Sequence, residues 1–109
     1  MRSCLLERRA ASSELVNTLA LLAMHDPSPV VRLYLAAGLQ RLPVEQRFGI
    51  ARALVAHGED AQDANLPLLT WYGIEPLAAA APEQALVLAK EARIEKLTHF
   101  IYRRLGFEP

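Results

Sequence analysis

The sequence holds a single cysteine, Cys4, in 109 residues. One thiol excludes an internal disulfide framework, a multi-thiolate zinc site and a CxxCH haem attachment within this chain. Charge of one sign is missing too. Twelve basic side chains stand against twelve acidic ones, so no overall field points to nucleic acid or an anionic membrane. No apolar run approaches the roughly 18 residues that would cross a bilayer, and the opening MRSCLLERR is too short in apolar residues for a secretory signal. Aromatics make up only 6%. There is no GxSxG turn, no glycine-rich phosphate loop and no HExxH or HxxxH spacing, and Cys4 has no base near it in sequence. Val, Ile and Thr are sparse, and no stretch alternates apolar and polar residues for long, so strands are not signalled.

Alanine and leucine are abundant, and they carry most of a 52% apolar content. Both are strong helix formers, and the fold class read from them is all-α. The length suits one domain, 1–109, or a piece of one. Six helices follow from period and punctuation. The first spans about Ser13 to Met24, with Leu15, Leu19, Leu22 and Ala23 as its apolar stripe and Ser12 or Ser13 as cap. The second follows DPSP and runs to about Arg41, and the third starts at Pro43, with Val44, Phe48, Ala51 and Val55 inward. After the polar interval GEDAQDAN, Asn65 caps a fourth helix whose late Pro76 predicts a kink or an early end. The fifth opens at Pro82, and the sixth uses Ile94, Leu97, Ile101 and Leu105 before Gly106.

Taken in pairs, these helices make about three helical hairpins whose starts near Ser13, Pro43 and Pro82 are roughly 30 to 40 residues apart. That period signals an α-α superhelix, a solenoid of stacked hairpins. Leu5 and Leu6 suggest the remnant of a preceding helix. The high apolar fraction and the closeness of the last helix to the terminus predict an open end and self-association through it.

One stretch is more specific. In DPSPVVRLYLAAGLQRLP, Asp26 or Ser28 can receive orphan N–H groups at the helix start, and Pro27 or Pro29 presets the backbone. Ala36, Ala37 and Gly38 let a neighbouring helix approach, and Val31, Leu35, Leu39 and Leu42 fill the seam. Arg32 can reach a backbone carbonyl or the aspartate of an adjacent repeat. With Asp26, Pro27, Val31, Arg32, Ala36, Gly38, Leu39 and Leu42 in register, the stretch resembles the turn and second helix of a HEAT repeat in its bacterial form. The resemblance implies an armadillo-like scaffold for protein–protein interaction, with neighbouring domains or other copies as partners and no cofactor. From Pro27 to about Arg104 the chain is also similar to a HEAT segment of large multidomain bacterial proteins, where it connects a dehydrogenase-like β-propeller to a c-type haem module. That likeness implies an extracytoplasmic module of a longer chain, and no activity carries over to any residue here.

The candidate sites have plain alternatives. Trp71 and Glu75 share a helix face with Tyr72 beside them. They could clamp a ligand or perturb a carboxyl, but packing is the stronger reading, with Glu75 paired to an arginine such as Arg32 or Arg47. Glu59, Asp60, Asp63 and Asn65 offer oxygens at short spacing without the EF-hand order, so a solvated loop is the better reading than calcium. His25 and His57 fall at helix C-termini, where they suit the dipole, and His99 is isolated. Arg93, Lys96, Arg103 and Arg104 gather near the last helix. HEAT-like DNA glycosylases use such basic faces, so a nucleic-acid-binding domain is the alternative, although the balanced net charge weighs against it. No catalytic or metal site is assigned, and the chain reads as non-enzymatic.

Overall fold

Ser12 begins the described structure, a computed structural model covering residues 12–107. Its Oγ accepts the Leu15 N–H at 3.1 Å and starts α1, Ser13–His25. Leu5 and Leu6 lie outside the described residues. The Asp26–Ser28 turn has two nested bonds. Asp26 Oδ1 accepts the Ser28 N–H at 2.8 Å, and Ser28 Oγ in turn receives the Val31 N–H at 3.4 Å. With Pro29 at the first helical position, where its missing N–H costs nothing, α2 runs Pro29–Leu39.

The next helix begins later than its sequence suggests. Pro43 opens a 3-10 turn, Val44–Gln46, and α3 spans only Phe48–Val55. The reason is Arg47, whose side chain folds inward and back to the Leu42 and Gln40 carbonyls at 2.9 and 3.2 Å. A second 3-10 turn, Gly58–Gln62, occupies the polar interval. Asn65 does not cap α4 with its side chain. Asp63 does so instead, its Oδ1 accepting the Asn65 and Leu66 N–H groups at 2.8 and 2.9 Å.

Helix α4, Leu66–Ala80, runs through Pro76 without the early end expected there. Proline removes one intrahelical donor and pushes against the preceding turn. The Gly73 carbonyl in that turn accepts Arg47 Nη1 at 2.8 Å, so a side chain supports the helix where the backbone ladder is weakened. Helices α5, Pro82–Glu91, and α6, Glu95–Leu105, complete the set. At the end of α6, Gly106 takes φ 89°, and the Phe107 N–H returns to the Tyr102 carbonyl at 2.8 Å. Only glycine enters that left-handed region without strain.

The described residues contain six α-helices and no strand. Their packing alternates: α1 lies on α3 and α3 on α5, while α2 lies on α4 and α4 on α6. Two rows result, and the molecule measures 47 × 32 × 22 Å. Leu39, Ile50, Leu54, Ile74, Leu77, Leu88, Leu97 and Ile101 form the seam between them, each buried.

Two expectations about faces need correction. Leu15 and Leu22 on α1 are 48% and 40% exposed, and the inward side is Val16, Leu19, Ala20 and Ala23. The apolar arc of α1 is wide, and packing turned its buried centre away from Leu15 and Leu22 while keeping Leu19 and Ala23 inward. Of the small residues on α2, Ala36 is fully buried but Ala37 is exposed, and a Cβ added at Gly38 would meet nothing within 4 Å. At Gly73 on α4 it would stand 2.8 Å from Leu39 Cβ.

Candidate functional site

Arg32 is the centre of the most organised polar cluster. It projects from the first turn of α2 and is only 2% exposed. Its Nε donates to Asp60 Oδ2 at 2.6 Å and its Nη2 to Asp60 Oδ1 at 2.8 Å. This is the two-pronged geometry in which a planar guanidinium matches a carboxylate. The remaining arm, Nη1, donates to the Asp26 carbonyl at 3.0 Å. One side chain therefore fixes the turn before its own helix and holds the polar segment that follows α3. The Asp60 hydrogen bond drives the guanidinium still further above its ordinary pKa.

Around this pair sits a second tier. Glu59 lies 3.6 Å from Arg32 Nη2, and its Oε2 is 2.8 Å from His57 Nδ1. The His57 contact, with a bond to its own backbone N–H, holds the Glu59 carboxyl below the usual carboxylate range. On the other side of the ring, His57 Nε2 is 2.7 Å from the Ala23 carbonyl in the last turn of α1. A carbonyl only accepts, so Nε2 carries the hydrogen there. His57 thus satisfies the end of α1 rather than of α3, across the two helices. The interval read as a solvated loop is a folded element, with Asp60 buried beneath Arg32 and Asp63 committed to the start of α4.

Trp71, Tyr72 and Glu75 do not converge. Trp71 packs on Phe100 of α6 with ring centroids 5.5 Å apart, and Glu75 receives Arg104 Nε of α6 at 2.9 Å. Tyr72 is 48% exposed. The partner of Glu75 is therefore neither Arg32 nor Arg47. The first is taken by Asp60, and the second donates to the Leu42, Gly73 and Gln40 carbonyls. His99 makes its contact within α6, 3.9 Å from Glu95. The basic residues near α6 are interleaved with acids: Arg104 with Glu75, and Arg52 on the adjacent α3 with Glu91 at 2.6 Å.

Arg47 is the residue that sequence reasoning missed. It is 1% exposed and binds three backbone carbonyls. A signal existed, since position 47 falls one helical turn from Val44 and from Ala51 on the stripe read as inward. No family model matches the chain, and no curated protein or solved structure matches it either.

Proposed function

We propose that the chain is a HEAT-like α-solenoid segment that works as a non-catalytic scaffold and protein-interaction module, a connector within a larger multidomain bacterial protein. The observation that supports it best is the alternation of packing partners, in which each helix lies on the helix two places along the chain. Stacked hairpins bury their apolar faces in that way. The motif arginine fits the same reading, because Arg32 bridges its own turn and the segment 28 residues further on. The polar clusters are closed on one another, with the Arg32 and Asp60 side chains sealed from solvent.

The face for a partner lies on the row of α2 and α4. Val30 and Tyr34 on α2 are 56% and 73% exposed, and Leu68 and Tyr72 on α4 are 42% and 48% exposed. Each pair is spaced i, i+4, which puts both members on one side of the helix. Tyrosines so placed supply large contact area at low entropic cost. The test is site-specific photo-crosslinking in the source cell, with a photoreactive phenylalanine analogue at position 34, 72 or, as control, 96. Discrete protein adducts at 34 and 72 and none at 96 are expected. Adducts at neither tyrosine position would refute the interaction role.

A further inference from the structure

The two ends of the helical rows differ in kind. Exposed residues of α5 and α6 include Lys90, Glu91, Glu95, Lys96, Arg103 and Arg104, a well-charged surface. Charged side chains of this kind suit the end of a stacked array. At the other end, the exposed residues of α1 carry almost no charge. Leu21 and Met24 are 58% and 50% exposed, Leu15 and Leu22 are exposed beside them, and the only ionisable groups are Glu14 in the first turn and His25 in the last.

The order of these groups along α1 is informative. At 100° per residue, Glu14, Thr18, Leu21 and His25 fall within about 60° of arc, with Leu22 about 40° beyond one side of it and Leu15 and Met24 about 60° beyond on opposite sides. The inward residues Val16, Leu19, Ala20 and Ala23 occupy the opposite arc. Thr18, Leu21, Leu22 and His25 also line a shallow groove that continues onto Asp26 and Pro27. The stripe is complementary to its own reverse. Two copies of α1 laid antiparallel, with a two-fold axis at the level between Leu19 and Ala20, bring Glu14 against the other copy's His25 and Thr18 against its Leu21. Both Glu14–His25 pairs then bring opposite charges together. A parallel pairing would set Glu14 against Glu14 and His25 against His25. Head-to-tail stacking would press this apolar face onto the charged surface of α5 and α6.

We propose that the occupant of this face is a second copy of the chain, and that α1 pairs with its counterpart in an antiparallel, two-fold dimer. One 13-residue helix against its copy makes a small interface, which places the dimer in the weak class, with Kd roughly 1–100 µM. The proposal takes the scaffold role as its setting, but the two are tested apart, because the crosslinks at positions 34 and 72 do not involve α1.

Sedimentation velocity of the full chain over about 5 to 500 µM, bracketing that range, in mildly acidic buffer that charges imidazoles, provides the test. A concentration-dependent dimer is expected. Leu21→Glu abolishes it while circular dichroism stays helical, since the position is exposed. Glu14→Lys weakens it about three- to tenfold through its two symmetric contacts, His25→Glu does the same, and the double variant Glu14→Lys/His25→Glu restores it by reversing both pairs. A monomer at every concentration overturns the proposal. So does a dimer indifferent to Leu21→Glu, which would place the contact on another face, or a double variant no tighter than the singles, which would remove the antiparallel register.

Discussion

Replacing Asp60 by alanine would leave the Arg32 guanidinium 2% exposed and without the carboxylate that two of its arms now reach. Removing one partner of a buried pair costs about 3–5 kcal/mol, because the surviving charge stays desolvated and uncompensated. The molecule is only 22 Å across its shortest axis, so water lies close to every group, and the lower end of that range, about 3 kcal/mol, is the better figure. Against a domain stability of roughly 5–15 kcal/mol, this is a large loss, worth some 10–20 °C in melting temperature for a chain of this size. Arg32→Met should cost a similar amount, by stranding Asp60 and releasing the Asp26 carbonyl. Arg32→Met combined with Asp60→Leu should cost far less than the two singles together, since an apolar pair of similar volume substitutes well for a buried ion pair. Urea unfolding of the native protein, Arg32→Met, Asp60→Leu and their double variant, followed by circular dichroism, gives the cycle, with Asp60→Ala measured beside it. If Asp60→Ala costs under about 1 kcal/mol, or the singles simply add in the double variant, the pair does not hold the start of α2 to the segment after α3.

Glycine substitutions should separate the two small residues on facing helices. Gly73→Ala is expected to destabilise by about 1–3 kcal/mol, because its Cβ would sit 2.8 Å from Leu39 Cβ. Gly38→Ala, with open space around the same atom, should stabilise by up to about 1 kcal/mol through helix propensity; thermal melts of the two variants check the opposite signs. Leu97→Ala, at a fully buried position, should cost about 2–5 kcal/mol in the same assay. Asp63 accepts two backbone N–H groups at the start of α4, and these hold its carboxyl below the ordinary aspartate range. Its contribution is fully present above the unfolded value of about 3.9 and disappears as pH falls through the lower folded value. Melting curves of the native protein and Asp63→Ala should therefore converge on acidification, and a gap that stays constant down to strong acid would refute the capping role.

Much of the helical plan was legible because it rests on local chemistry. Ser12, the Asp26–Pro29 turn, Pro67, Pro82 and Gly106 mark helix ends through backbone geometry that a few neighbouring residues decide. What depended on tertiary partners was not legible. Pro76 looked like a terminator because the ladder it breaks is local, whereas Arg47, which supports that turn, comes from 26 residues away. Glu59 and Asp60 looked like a solvated pair because acidic runs commonly are, until Arg32 draws one of them inward. On α1 the apolar arc is wide, and the stripe read from the sequence shares Leu19 and Ala23 with the buried one, so packing against α3 decided which edge of that arc turned inward. Trp71 and Glu75 could be assigned to one face, but their partners on α6, Phe100 and Arg104, lie some thirty residues on and left no local trace.

Arg32 and Arg47 differ from the other charged residues in where their bonds lead. Arg32 joins the turn after α1 to the segment ahead of α4, and Arg47 joins the end of α2 to the middle of α4. Among the described residues, no buried guanidinium ties α5 or α6 to what precedes them. Their polar links to α3 and α4 include the half-exposed Arg52–Glu91 and Glu75–Arg104 pairs and the Arg93 N–H that donates to the Val55 carbonyl. Exposed pairs hold little free energy. In native-state hydrogen exchange, amides of α5 and α6 should therefore open as a separate, lower-energy unit, while those of α2, α3 and α4 exchange together near the global limit. Two buried guanidinium groups would then set the boundary between the two units.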